Sequence, residues 1–159
     1  MARDNTDITY RGNRRLSGNF GRVWLNNNLV FEISSFEAKI TADRDDVIIG
    51  VSKDSKITSL TGEGTITTKK VFTSGLNELL KQWQAGHDPR VTIIAELADP
   101  DTVSSQKERV RLENCWFNDL PLMNFSKGEV IEQELTFGFT PEDVAYESTI
   151  AITGQTRFK

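Results

Sequence analysis

The sequence predicts an α+β fold dominated by β-structure, an antiparallel β-sandwich or β-barrel with one flanking helix. Apolar and polar residues alternate in six or more segments, which is typical of strands with one buried face. Only residues 74–86 combine the apolar spacing of an amphipathic helix with start and stop signals. The 159 residues contain no internal repeat and no linker, so we expect a single domain over residues 1–159.

A polar N-terminal arm, residues 1–16, precedes the first predicted hairpin. The hairpin turns within the asparagines at 26–28, because asparagine tolerates the left-handed conformation of tight turns. In the second strand the apolar positions change from odd to even numbers at Ser34 and Ser35. We expect a β-bulge or a sharp bend there, since either keeps the apolar side chains on one face.

Residues 43–57 differ in character, because charged residues flank a short apolar stretch. The sequence predicts a long inter-strand loop here. Three adjacent β-branched residues, Val47, Ile48 and Ile49, are unfavourable at a fully solvated loop tip. The tip is therefore expected to pack on a partner or, as a short strand, on its own domain.

Alternation predicts five further strands, at residues 58–71, 91–97, 107–117, 130–140 and 149–158. In the 107–117 strand, Val110, Leu112 and Trp116 share one face. We therefore favour packing in the core for Trp116. The alternative is a nucleic-acid surface of interleaved aromatic and basic residues, of which Trp24 beside Arg22 is a second candidate.

The predicted helix carries an apolar stripe of Leu76, Leu79, Leu80 and Trp83, which we expect to pack on the sheet. Its expected N-cap is Ser74, and a glycine twelve residues on is placed to end it.

Composition excludes several classes of protein. A net charge of −4 argues against a protein that grips nucleic acid through its phosphates. No stretch approaches 18 apolar residues, and the arm at 1–16 lacks the apolar run of a signal peptide, so we expect no membrane segment. Cys115 has no second cysteine to pair with, which fits folding inside the cell.

Known catalytic and metal-binding patterns are not matched. His87, the single histidine, follows the predicted helix in a Gly-His-Asp-Pro turn without a nucleophile context. The acidic run from Asp43 fails as a calcium loop, because Ile48 replaces the glycine and Asp54 the final glutamate. One cysteine and one histidine cannot form a zinc site. We therefore predict no catalytic, cofactor-binding or metal-binding residue, and no enzyme.

Six segments remain distinctive, and they occur in a fixed order. Residues 17–26 have the sequence Ser-Gly-Asn-Phe-Gly-Arg-Val-Trp-Leu-Asn, and residues 134–140 have Glu-Leu-Thr-Phe-Gly-Phe-Thr. The others are 36–39, 61–65, 70–71 and 97–101. Together they resemble tail tube proteins of the PBSX defective-prophage type, from contractile phage tails, over about residues 17–140. No segment is diagnostic alone, but six in register are specific.

This resemblance implies a structural subunit. Related proteins form hexameric rings whose strands join into an inner barrel, and the rings stack into a tube within a contractile sheath. The implied partners are further copies of the chain and the tail sheath, baseplate and tail terminator proteins. DNA passes through the lumen without specific binding, or the tube pierces an envelope in a bacteriocin-like particle. The implied location is a virion or tail-like particle, assembled in the bacterial cytoplasm.

The resemblance also suggests two sets of site residues. The loop at 43–57 corresponds to the segment that reaches into a neighbouring subunit or ring in such tubes. Its candidate contact residues are Arg44, Asp45, Asp46, Val47, Ile48, Ile49, Val51 and Lys53. A ring must also direct a polar strand face into its channel. The candidate lumen residues are Glu37, Lys39, Thr61, Glu63, Thr65, Thr67, Glu132 and Glu134.

Two other classes of function stay open at this point. A small-ligand-binding β-barrel would need a large apolar interior, against which the many polar positions opposite the core argue. An enzyme with an unfamiliar carboxylate site is more remote, because no group of residues converges on one chemistry.

Overall fold

A computed structural model describes residues 17–30, 33–69, 74–100 and 107–149. The N-terminal arm at 1–16 and all but the first residue of the predicted strand 149–158 lie outside these ranges. Short 3-10 turns occupy Gly18–Phe20 and Pro141–Asp143. The described strands and helix are β1 (Gly21–Leu25), β2 (Asn28–Val30), β3 (Ile33–Ile49), β4 (Ser52–Lys69), α1 (Ser74–Gln84), β5 (Val91–Leu97), β6 (Glu108–Phe117), β7 (Glu132–Phe139) and β8 (Val144–Ser148).

All of the strand pairs are antiparallel, in the order β2-β1-β5-β6-β7-β4-β3, and β8 also pairs with β6. We name β1, β2, β5, β8 and the start of β6 sheet A, and β3, β4, β7 and the end of β6 sheet B. Side chains of both sheets meet in one core, so the sheets face each other as a sandwich. The predicted β-dominated α+β fold with one helix is confirmed.

Two local predictions at the start of the chain are confirmed. Asn26 and Asn27 have φ angles of +48° and +68°, as both central residues of a type I′ hairpin turn require. The pairing of β3 with β4 shifts register between Ile33 and Ser35, which is the expected bulge. Both features follow from local sequence, because each depends on a single turn or phase change.

Residues 43–57, predicted as a long loop, are instead the outer end of the β3–β4 hairpin. The strands remain paired as far as Ile49 and Ser52. Gly50 has a φ of +60° at the first position of the two-residue turn, as in type II′ turns. The loop prediction was wrong because polar residues lie on both faces here, so no alternation marks a strand. We call residues 44–57 the distal hairpin.

The predicted position of Trp116 in the core is also wrong. Trp116 pairs with Gly138 on the face of sheet B that is directed away from the core. The pairing of β6 with β5 shifts register after Leu112, and Asn114 has a left-handed φ of +54°. This bulge turns Cys115 inward, where it is fully buried, and reverses the alternation that the sequence suggests.

The core between the sheets is dominated by apolar side chains. Gly62 and Gly64 on β4 leave room for the rings of two phenylalanines of β7, Phe139 and Phe137. A Cβ atom at Gly62 would lie 2.5 Å from Cε2 of Phe139, well inside contact distance. The buried core cluster comprises Val23, Ile66, Ile93, Leu112, Cys115, Phe137 and Phe139.

Helix α1 ends as predicted at a glycine. Gly86 has a φ of +81°, and its N–H donates to the carbonyl of Trp83 at 3.0 Å. The N–H of His87 donates to the carbonyl of Gln82 at 2.9 Å. These two bonds form a Schellman motif, which satisfies the last carbonyl groups of the helix.

The helix contributes less to the core than its apolar stripe suggests. Leu79, Leu80 and Trp83 are half-buried, and none belongs to the core cluster of the described residues or packs against it. Phe137, by contrast, is fully buried and stacks with Phe36 at a centroid distance of 5.9 Å. The stability of the domain therefore depends more on β7 than on α1.

We expect Phe137→Ala to lower the free energy of unfolding by about 3–5 kcal/mol, because it opens a cavity between the sheets. Leu79→Ala should cost only about 1–2 kcal/mol, since that side chain is half-buried. Chemical denaturation of both variants, monitored by circular dichroism, measures the difference. Equal losses would contradict the assignment of Phe137 to the centre of the core.

Candidate assembly surfaces

Sheet B has one polar face, which is directed away from the core. Across β3 and β4, Glu37 pairs with Thr65 and Lys39 with Glu63, and Thr65 pairs in turn with Thr136 on β7. Paired residues of antiparallel strands share a face, so the register joins these side chains into one surface. The residues that it brings together include all of the candidate lumen residues, Glu37, Lys39, Thr61, Glu63, Thr65, Thr67, Glu132 and Glu134. Only Thr65 and Thr67 are half-buried; the others are exposed.

The polar face carries more carboxylates than amines. Its glutamates and lysines are Glu37, Glu63, Glu132, Glu134, Lys39 and Lys69. The ammonium of Lys39 lies 3.6 Å from Oε1 of Glu63, but both side chains are more than half exposed, so this pair adds little stability. The polar face is therefore hydrophilic and weakly negative.

At the β6 end of this face, Trp116 and Asp119 border the sheet. The guanidinium of Arg90 lies 4.7 Å from the centre of the Trp116 ring. The hydroxyl of Thr136 donates to Oδ2 of Asp119 at 2.6 Å. These contacts hold the chain that leaves β6 against β7.

The distal hairpin is exposed on both of its faces. Every side chain from 44 to 57 is exposed, including all of the candidate contact residues. Ile48 and Val51, at the tip, have relative exposures of 79% and 108%. Such a concentration of exposed apolar side chains is unusual on the surface of a monomer.

Polar contacts within the distal hairpin hold its two strands together. The ammonium of Lys53 lies 2.8 Å from Oδ2 of Asp46, and Nη1 of Arg44 donates to the hydroxyl of Ser55 at 3.3 Å. These contacts are local, because each joins one strand of the hairpin to the other. The hairpin can therefore keep its shape without a surface of its own domain to pack on.

Sheet B ends in two incompletely paired edges. Among the described residues, β3 pairs with β4 alone, over almost its whole length. On the other side, β6 pairs with β7 only at Phe137 and Gly138, followed by a hydrogen bond from the N–H of Asn118 to the carbonyl of Thr136 at 2.9 Å. Within the described chain, residues 132–135 therefore have no strand partner on that side. Exposed edges of this kind are templates for pairing with another chain.

Sequence reasoning missed a second apolar surface, in the segment between β6 and β7. We call residues 120–130 the apolar loop. Four of its large side chains are more than half exposed: Leu122, Met123, Phe125 and Val130. No periodicity marks this segment, so only the number of apolar residues in a predicted loop could have drawn attention to it.

Catalytic chemistry is not indicated by the described residues. They include no group of three or more potential metal-ligating side chains. Burial raises the pKa of the Cys115 thiol to about 11, so the thiol is protonated and unreactive at neutral pH. No helix in the described ranges is long and apolar enough to span a membrane.

The two tryptophans that could mark a nucleic-acid surface, Trp24 and Trp116, are each covered by an arginine of the chain. The guanidinium of Arg109 lies 5.2 Å from the centre of the Trp24 ring, and it also donates to Glu96 at 3.2 Å. Arg90 covers Trp116 in the same way. Arginines already engaged with tryptophans and carboxylates offer little to a phosphate backbone.

Comparisons with known proteins identify the family to which this β-sandwich belongs. Residues 8–145 match the family model of phage tail tube proteins. The chain belongs to this family. The match spans most of the chain and includes the distal hairpin and both sheets, except the last three residues of β8.

Two proteins of Bacillus subtilis strain 168 are similar in sequence to this tail tube family member. One is the phage-like element PBSX protein XkdM and the other the uncharacterized protein YqbM. Each is 28% identical over 140 residues, which cover 86% of this chain and 95% of the relative.

Solved structures of contractile particles share the fold. The cap that terminates the tube of the anti-feeding prophage has a TM-score of 0.68 at 16% identity, over 94% of this chain and 100% of that one. A chain of the extended PVC sheath–tube complex, an extracellular contractile injection system, has a TM-score of 0.65 at 14% identity, over 92% and 99% of the two chains. At such identities the likeness shows the fold alone.

Proposed function

We propose that this chain is a structural subunit, without enzymatic activity, that assembles into hexameric rings stacked as the inner tube of a contractile tail or tail-like particle. The observation that carries the proposal is the arrangement of sheet B. It has one buried face, one polar face and an incompletely paired edge at each end. A sheet of this kind is suited to extension by identical sheets.

Ring closure follows if the β3 edge of one subunit meets the β7 edge of the next. The two edges are different surfaces of the molecule, so the contact is head-to-tail, and such contacts close into rings when the rotation fits. Closure would remove both edges and so protect the sheet from uncontrolled pairing. It would also direct the same face of every sheet B towards the ring axis.

The polar face is our candidate for the lumen wall. Threonines and mostly acidic side chains would form a hydrophilic surface that repels phosphates, so DNA could pass without specific binding. A basic lumen would instead bind DNA along its whole length.

The distal hairpin is our candidate for contact with a neighbouring subunit or ring. Its exposed apolar tip gains free energy only when another surface covers it. The charged side chains flanking the tip, Asp46 and Lys53 among them, could fix the register of that contact.

Further partners follow from the proposed place in the particle. A tube inside a contractile tail must contact a sheath along its length, a baseplate at one end and a terminator at the other. We propose assembly in the bacterial cytoplasm before incorporation into the virion or tail-like particle. The ligand-binding alternative has less support, because the chain belongs to the phage tail tube family and aromatic and aliphatic side chains fill the centre of the sandwich.

Exchanging Ile48 and Ile49 for serine should prevent tube growth while leaving the domain folded. Both side chains are exposed, so their loss removes contacts between subunits but none within the core. Negative-stain electron microscopy at high protein concentration measures tubes, and thermal melting measures folding. The control is Leu29→Ser, which removes another exposed apolar side chain. Leu29 lies on β2, at the end of the strand order opposite to β3. Normal tubes from the double variant would refute the role of the hairpin.

Replacing Glu37 and Glu134 by lysine should leave assembly intact but make the tubes retain DNA. Both side chains lie on the polar face, so the variant makes the proposed lumen basic. Retention should fall steeply between low and physiological salt, as phosphate contacts do. The control replaces Glu78 and Glu142 by lysine, since both side chains are exposed and lie outside sheet B. If internal DNA, protected from nuclease, is equally scarce in both variants, the polar face does not line the lumen.

A further inference from the structure

In the described part of the chain, the sandwich is open along one side. A groove of about 900 Å³ lies between β3 and sheet A. Its apolar lining includes Ala95, Val110 and Val144 of sheet A and Ala38 of β3. We call it the side groove.

At the side groove, two large side chains are exposed although they lie where a sandwich normally buries its side chains. Ile40 lies on the core-facing side of β3, two positions beyond Ala38, yet it is 47% exposed. Tyr146 of β8 also lines the groove and is 63% exposed. In a closed sandwich side chains at such positions would be covered by the opposite sheet.

The apolar loop has the complementary property, since four of its large side chains are mostly exposed. Phe125 and Met123 have relative exposures of 64% and 72%. The loop is anchored where it begins, through the contacts of Asn118 and Asp119 with Thr136. It ends where β7 begins, at the incompletely paired edge.

The order of these elements along sheet B places the loop and the groove at opposite ends of the sheet. The side groove opens beneath the β3 edge, and the apolar loop leads into the β7 edge. In the proposed ring these two edges meet, so the loop of one subunit reaches the groove of the next. We propose that the apolar loop of each subunit fills the side groove of its neighbour and completes its core. This inference rests on the proposed ring.

The chemistry of the two surfaces supports a second copy of the chain as the occupant. Leucine, methionine, phenylalanine and valine side chains would cover the apolar part of the lining, and none of these four brings a charge into the groove. The charged residues that also line the groove are Arg22, Glu37, Lys39, Glu96 and Glu108. The first three of them are exposed to solvent, and Glu96 is already paired with Arg109. Covering one large apolar side chain changes an association constant about tenfold or more. Four such side chains make this contact a substantial part of the ring interface.

Cysteine cross-linking tests the contact directly in assembled tubes. The double variant Phe125→Cys with Tyr146→Cys, treated with a short bismaleimide, should give a ladder of covalent oligomers on denaturing gels. An equal mixture of the two single variants should give dimers but no higher species. Both introduced cysteines replace exposed side chains, whereas Cys115 is fully buried and should not react.

Two further pairs of cysteine substitutions serve as controls, one as a negative control and one to detect the distal hairpin in the side groove. Phe125→Cys with His87→Cys should give no ladder, since the turn after the helix does not line the groove. Ile48→Cys with Tyr146→Cys reports a distal hairpin in the groove, and a ladder from this pair alone would overturn the proposal.

A second measurement keeps the inference testable if a double variant fails to fold. Phe125→Ser should raise the protein concentration needed for assembly about tenfold while leaving the melting temperature of the isolated subunit unchanged. Normal tube formation by this variant would refute the contact. Tubes of the Phe125→Cys and Tyr146→Cys variant that give no cross-links would refute it as well. Neither result would contradict the proposed tube. A wild-type chain that forms neither rings nor tubes would refute both.

Discussion

The backbone of β3 carries hydrogen-bonding groups that the described part of the chain leaves without a strand partner on one side. Among the described residues β3 pairs only with β4, and β7 is incompletely paired at the other end of sheet B. Unpaired edges of a long sheet are a hazard unless another chain covers them. The two edges differ, so identical chains can satisfy both by joining head-to-tail. In the proposed ring, the polar face lines the lumen, the distal hairpin contacts a neighbouring subunit or ring, and the side groove receives the neighbour's apolar loop.

Packing within the chain holds one face of sheet B against the core and leaves its other face exposed. Gly62 and Gly64 let the rings of Phe139 and Phe137 lie against β4, which secures β4 to the core through β7. The other face is then free to be polar. Beyond a register shift at Asp43, the same two strands leave the body and continue as the distal hairpin. In the proposed ring, the β3–β4 hairpin supplies both part of the lumen wall and the segment that contacts a neighbouring subunit.

Local signals in the sequence predicted much of this fold. The asparagine turn, the bulge near Ser35 and the glycine end of the helix each depend on a few neighbouring residues, and all three are confirmed. The distal hairpin was missed because a strand exposed on both faces has no alternation. Trp116 was misplaced because the bulge at Asn114 reverses the alternation. The side groove could not be foreseen, since it depends on how two sheets distant in sequence are placed.

Electron cryomicroscopy of the assembled protein tests the central claim, that free sheet edges drive ring closure. The account predicts hollow tubes of stacked hexameric rings. Within each ring β3 of one subunit should be hydrogen-bonded to the β7 side of the next, with Glu37 and Glu134 facing the channel. Tubes in which the β3 edge faces solvent, or in which the polar face lies on the outer surface, would contradict it.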